Sequence, residues 1–186
     1  MIGGGRKASR ALLDGAIMLV YWIGLAVSVT VDTTVVDAGD DRYVEAAWEL
    51  KERIRREEDV LKQRKSFFKY AYTDGTCHLI LIPETDELVA FATTRSNGYL
   101  LFLAVSPDFR DLGFGRELVS AVADQYGAVT CHARVSNEPA LEFYDRLGFE
   151  IIRRINNYYE DGGDAYYLRL GDKQSITSRI IGLFSN

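Results

Sequence analysis

The passage that most constrains this chain is a nearly unbroken apolar run, residues 99–105, leading through Pro107 and a loop, 108–113, into an amphipathic stretch, 114–126. The run reads as a central strand buried on both faces. Leu118, Val122 and Tyr126 recur on one helical stripe, and Gly127 terminates it. The connection Arg110-Asp111-Leu112-Gly113-Phe114-Gly115 therefore joins a strand end to a helix N-terminus. Consecutive backbone N–H groups in that setting, aided by the helix dipole, suit a diphosphate. Gly113 and Gly115 let the backbone approach a ligand with no Cβ in the way. Arg110 can add a mobile positive charge at the rim. A plain glycine-containing turn would share these features. The dinucleotide fingerprint is not met, because a third glycine and an acidic residue about 20 positions later are not convincingly present.

The surrounding pattern places this loop in a mixed α/β (α+β) domain. Residues 28–35 alternate as a half-buried strand. Asp40-Asp41 reads as a cap for a helix over about 41–57, with Val44, Ala47, Trp48 and Ile54 at helical spacing. Val60, Leu61, Arg64, Phe67, Phe68 and Ala71 mark a second helix, ending before the turn Thr73-Asp74-Gly75. Residues 77–82 and 88–94 form a hairpin around Pro83-Glu84-Thr85-Asp86. After the central strand and its helix come a strand over 128–136 and a helix over 138–147. Asn137 caps that helix, Pro139 sits in its first turn, and Gly148 ends it. Strands over 149–156 and 165–170 close the order.

With 186 residues and 47% hydrophobic side chains, one domain with a real core is expected. The net charge of -5 argues against nucleic acid, so an anionic ligand must be met locally. Cys77-His78 and Cys131-His132 raise a metal site, but both pairs lie in strand-like runs where adjacent side chains point apart, so neither chelates as a unit. The spacing also lacks usual zinc geometry, and no metal is expected. Two cysteines suit a reducing cytosol, and a cytoplasmic location is expected.

Residues 1–28 differ from the rest: Arg6, Lys7 and Arg10 precede a charge-free stretch, 15–31. Once the strand pattern is removed, the stretch is shorter than the ~20 apolar residues of a spanning helix. It fits a signal peptide's hydrophobic region on paper. Membrane association through residues 11–31 is an alternative to the favoured reading, in which the domain starts near Val29 and the upstream residues are a start-site artefact or an appendage. Residues 29–170 then form the domain. The tail, 171–186, with Ile176, Ile180 and Phe184 four apart, reads as a short amphipathic helix.

A second block changes the reading of the loop: Asn137-Glu138-Pro139-Ala140-Leu141-Glu142-Phe143-Tyr144-Asp145-Arg146-Leu147-Gly148-Phe149. Together the two blocks resemble the GNAT superfamily, whose acetyl-CoA motifs have the forms Arg/Gln-x-x-Gly-x-Gly/Ala and Asn-x-x-Ala-x-x-Phe-Tyr-x-x-x-Gly-Phe. Asn157-Tyr158-Tyr159 and Asp164-Ala165 are similar to the branch holding the RimI-like and protein N-terminal acetyltransferases. The resemblance implies a mixed central sheet with splayed central parallel strands flanked by helices, and acetyl-CoA as co-substrate. It implies that backbone groups of Leu103 and Val105 align the thioester. It further implies that Arg110, Asp111, Leu112, Gly113, Phe114, Gly115 and Arg116 hold the pyrophosphate and that Asn137 contacts the pantetheine arm.

Attack by an amine needs one proton removed from the ammonium and one delivered to the departing thiolate. By resemblance Tyr144 is the candidate acid, and His132 with Tyr99 could order a water that relays the first proton. Tyr158 and Tyr159 could wall a peptide groove. The expected acceptor is a protein or peptide N-terminus, ribosomal proteins among them. A small amine or lysine acceptor, and a non-catalytic acyl-CoA-binding module, are the alternatives.

Overall fold

The computed structural model describes residues 29–171. Expectations for residues 1–28 and for the tail beyond Gly171, including the membrane alternative and the amphipathic helix, lie outside the described residues. Among the described residues no helix is long and apolar enough to cross a membrane.

The chain order is β1 (Asp32–Val36), α1 (Val44–Glu58), α2 (Lys65–Asp74), β2 (Thr76–Ile82), β3 (Glu87–Thr94), β4 (Leu100–Val105), α3 (Phe114–Tyr126), β5 (Val129–Arg134), α4 (Glu138–Arg146), β6 (Glu150–Ile155) and β7 (Ala165–Leu170). Strands β1-β2-β3-β4 form one antiparallel sheet, and β5-β7-β6 form a second. They touch at a single parallel bridge, Tyr99 to Thr130, where the Thr130 amide donates to the Gly98 carbonyl at 3.2 Å. Beyond it, among the described residues, β4 has no strand partner on that edge. The central parallel strands are splayed.

Two apolar clusters sit on opposite sides of this layer. One places Phe68, Tyr72 and Ile54 of α1 and α2 against Phe91, Phe102 and Ala104. Its centre is aromatic: Phe68 has no exposed surface and lies 4.9 Å from Phe102 and 5.9 Å from Phe91, ring centre to ring centre. Burial of such a side chain stabilises by roughly 1.5–3 kcal/mol. The other cluster packs Phe114, Leu118 and Val122 of α3 against Val31, Ile80, Cys131 and Leu168.

Three expectations need correction. The apolar run of β4 is not buried on both faces: burial alternates along it, Leu100, Phe102 and Ala104 inside and Leu101, Leu103 and Val105 partly exposed. One face is closed by α1 and α2, whereas on the other Leu103 and Val105 are only partly covered by the α3-side cluster; a register shift opposite Thr93 and Thr94 leaves Leu101 unmatched. The first helix starts at Val44, because the Asp40 carboxylate accepts from the Arg42 amide at 2.9 Å in a turn and Tyr43 is left-handed. The second starts only at Lys65. Asp59 and Leu61 take positive φ, which no helix accommodates, and the wholly buried Lys51 donates to the Gln63 carbonyl at 2.7 Å. That bond holds residues 60–64 as an extended link.

Val31 is fully buried in the α3-side cluster, and Val29 packs against it. A chain beginning at Val29 should therefore give a cooperative melt and bind acetyl-CoA. Loss of the folded state in that chain, read by circular dichroism, would place the upstream residues in the core.

Candidate active site

The loop before α3 is built for close approach. After the single 3-10 turn Pro107–Phe109, Asp111 is left-handed at φ 60°, and Gly113 at φ 88° precedes the first helical residue. No side chain caps that helix, and a Cβ on Gly113 would meet nothing within 4 Å. Gly113 thus combines a backbone angle that side chains resist with open space on the ligand side. Gly115 has a different reason: its Cβ would stand 3.1 Å from the Phe143 ring, so it lets α3 lie against α4. The Arg110 guanidinium pairs with Glu58 at the end of α1, and Arg53 grips Asp108 at 2.7 and 3.1 Å. Arg110 is tethered in this state, where sequence suggested a mobile charge.

The open edge continues the site. The Ser106 amide donates to Val89 on β3 at 2.8 Å, so by strand alternation the peptide groups of Val105 and Leu103 face the other way, into the gap beside β5. Asn137 Oδ1 accepts from the Ala140 amide at 3.2 Å, capping α4 at the far rim. Such a cap stabilises by about 1 kcal/mol.

Strand β5, bordering the gap, sends alternate side chains to the two faces of the sheet. Cys131 points into the α3 cluster, and the half-buried Tyr144 of α4 sits beside it, packed 4.9 Å from Phe149. Burial first, and the nearby thiol second, hold the Tyr144 hydroxyl well above its ordinary value; burial likewise pushes the Cys131 thiol up to about 12. Neither group is charged at neutral pH.

On the opposite side, His132 Nδ1 lies 2.6 Å from the Tyr99 hydroxyl. Tyr158 stacks on the imidazole at 4.3 Å and 14°, and Tyr167, its cross-strand partner, lies 5.0 Å away. His132 Nε2 is buried without a hydrogen-bond partner. Burial, and then the Arg153 charge, lower the His132 pKa from 6.5, so the ring is neutral at pH 7. Tyr99 is shifted upward, mainly by burial. Tyr159 stands edge-on to Tyr158 at 5.0 Å, under the Arg134 guanidinium at 4.1 Å.

The sequence-derived residues thus form two groups: Leu103, Val105 and the loop with Asn137 along the gap, and Tyr99, His132, Tyr158 and Tyr159 at its mouth, with Tyr144 on the far side. Sequence reasoning missed Cys131 as the neighbour of Tyr144, and Tyr167 and Arg153 as neighbours of His132. The alternation of β5 held the first signal; the cross-strand register of β7 and β6 carries the others. Cys77 and His78 also point to opposite sides, and no group of three or more potential metal ligands occurs among the described residues.

An uncapped helix N-terminus beside a splayed parallel pair, with open space over Gly113, fits a diphosphate linked to an extended arm. Those features suit the diphosphate-bearing, extended co-substrate of an acyl-CoA-dependent transferase. The sequence profile described as "Acetyltransferase (GNAT) family" matches residues 42–149. An N-alpha-acetyltransferase of Sulfurisphaera tokodaii is 32% identical over 118 residues, covering 58% of this chain and 71% of that protein. The fold matches the ribosomal-protein-S18-alanine N-acetyltransferase of Escherichia coli with a TM-score of 0.60 at 23% identity, covering 74% of this chain and 92% of that one. It also matches Arabidopsis thaliana NAA60 in complex with acetyl-CoA, with a TM-score of 0.58 at 20% identity, covering 76% and 98%. This chain belongs to the GNAT acetyltransferase family, and it is an acetyl-CoA-dependent N-acetyltransferase.

Gly113→Asp brings bulk and negative charge to the diphosphate position. Acetyl-CoA affinity measured by calorimetry should fall at least about tenfold, as expected for removal of roughly 1.4 kcal/mol of binding energy. Unchanged affinity would remove the loop from the site.

Proposed function

We propose that this enzyme acetylates the α-amine of a protein or peptide N-terminus, with Tyr99 and His132 taking the amine proton and Tyr144 supplying one to the leaving sulfur. The observation that carries this reading is the placement of the two proton-handling groups on opposite sides of the β4/β5 gap. Bound acetyl-CoA supplies an activated acyl thioester. The peptide groups of Leu103 and Val105 and the first amides of α3 would orient it, with Asn137 at the rim.

The His132 ring has one exit for a proton. Nε2 is enclosed, and Nδ1 faces Tyr99, so the histidine meets the acceptor only through that hydroxyl. The direct contact of the pair lets Tyr99 itself take the proton, in place of the relaying water that the two were expected to order. In the proposed relay Tyr99 accepts a proton from the ammonium and passes its own to Nδ1. An α-amine of pKa about 8 is roughly 10% neutral at pH 7, whereas a lysine of pKa about 10.4 is roughly 0.04% neutral. A neutral, weakly basic imidazole is adequate to the first task and poorly matched to the second. The name of the Sulfurisphaera relative supports the same acceptor. Ribosomal-protein N-termini belong among those to test, given the printed activity of the Escherichia coli structural relative.

Tyr144→Phe keeps the ring and its packing but removes the donor. Acetyl-CoA affinity should persist while turnover falls by ~10²-fold or more. Wild-type turnover would rule the hydroxyl out. His132→Ala should slow the reaction most at pH 6 to 7, where the acceptor is mainly ammonium, and recover partly toward pH 9. In the wild type the imidazole stays in its basic form until the pH drops below 6.5, so its own limb lies on the acid side of that value. An identical pH profile in the variant would reduce His132 to a packing residue. Intact-mass analysis of acetylated peptides decides the acceptor itself: transfer to lysine side chains alone would contradict the α-amine reading.

A further inference from the structure

The exposed face of the second sheet carries an uneven set of charges around the proton-handling pair. Cross-strand register aligns His132 on β5, Tyr167 on β7 and Arg153 on β6 in one row, with Tyr99 completing it from the start of β4. An arginine stands at each end of this row. The Arg95 guanidinium lies 5.5 Å over the Tyr99 ring, and the Arg153 guanidinium 5.6 Å over the Tyr167 ring. Both side chains are exposed, and among the described residues neither forms an ion pair.

The other charges nearby are largely neutralised. Arg134 is bonded to Asp161 at 3.0 Å, Arg154 to Asp164, and Arg64 to Glu160 at 3.5 Å across the mouth between the α1–α2 link and the loop 157–164. Lys62 is paired with Asp59 at 2.8 Å. On the neighbouring row Arg169 stands opposite Glu150 in the strand register. What remains beside the acceptor position is two uncompensated cations about one side-chain length from Tyr99 and His132. The Arg153 charge is felt at the imidazole, where after burial it lowers the His132 pKa. In a chain of net charge -5, two bare arginines flanking this row present a local positive field to whatever enters.

We propose that the acceptor is an acidic N-terminus, a peptide whose free α-amine is followed within its first residues by a carboxylate side chain that lies in the field of Arg95 and Arg153 and pairs with one of them. This rests on the α-amine reading and names the substrate class of that same site. Charges at this distance discriminate in both directions: a carboxylate is attracted, and a lysine at the same position is repelled. The contacts lie away from the reacting atoms, so the preference should appear in KM more than in kcat.

The test compares two peptides identical except for Glu or Lys at the second residue, each with a single free α-amine. At low ionic strength the Glu peptide should show a kcat/KM about tenfold higher. The ratio should shrink several-fold in 0.5 M salt, because exposed charges are screened over a few ångströms there. In Arg95→Gln with Arg153→Gln the ratio should fall to about one. The ratio cancels any effect of these changes on chemistry common to both peptides, and a thermal melt checks folding. A wild-type ratio of one or below, or a ratio that survives in the double variant, overturns the acidic preference while leaving N-terminal acetylation standing. Failure to acetylate either α-amine, with transfer to a lysine amine instead, overturns both.

Discussion

The site depends on one constraint: the β4 and β5 edges are bridged at Tyr99 and Thr130 and, among the described residues, nowhere beyond. A parallel pair that continued would satisfy the edge of β4 with hydrogen bonds and close the layer. Because it opens, the peptide groups of Leu103 and Val105 face the gap with no strand partner among the described residues. The same opening gives β5 two useful faces, since its alternating side chains point to opposite faces of the sheet beside the gap. Each sheet is held by its own antiparallel ladders, and the apolar clusters of α1 with α2 and of α3 keep the halves in place without a shared ladder.

The protonation states follow from that geometry. Tyr144 and Cys131 lie on the enclosed side, where burial keeps both neutral and lets the tyrosine remain a donor. His132 lies on the side reached through the aromatic mouth, where burial and the Arg153 charge oppose its protonation. One environment keeps a hydroxyl protonated and the other keeps an imidazole neutral, the states that the proposed acid and base need. The Tyr158 ring over His132 makes the mouth itself part of this arrangement.

Much of this was legible in the chain. The order of elements followed from periodicity and from Gly, Pro and Asn punctuation, as at Asn137 and Gly148. The two motif blocks carried the family. The loop that separates α1 from α2 was not legible, because Val60 and Leu61 keep the apolar spacing of a helix. The left-handed Asp59 and Leu61 and the buried Lys51 that fix it are tertiary facts. The role of Gly115 was hidden for a similar reason: a glycine needed for packing on Phe143 looks the same in sequence as one needed for a phosphate. The Tyr167 and Arg153 contacts depend on pairing between strands distant in sequence, which no local pattern encodes.

The central claim is that the acyl group is transferred within the gap, between Tyr144 on one side and Tyr99 with His132 on the other. A crystal structure with a CoA–acetyl–peptide conjugate tests it most directly. The account predicts the conjugate's sulfur between β4 and β5, with the diphosphate over Gly113 and the peptide emerging beside Tyr158 and Tyr159. A conjugate bound wholly on one side of the sheets, with its sulfur outside the gap, would contradict it.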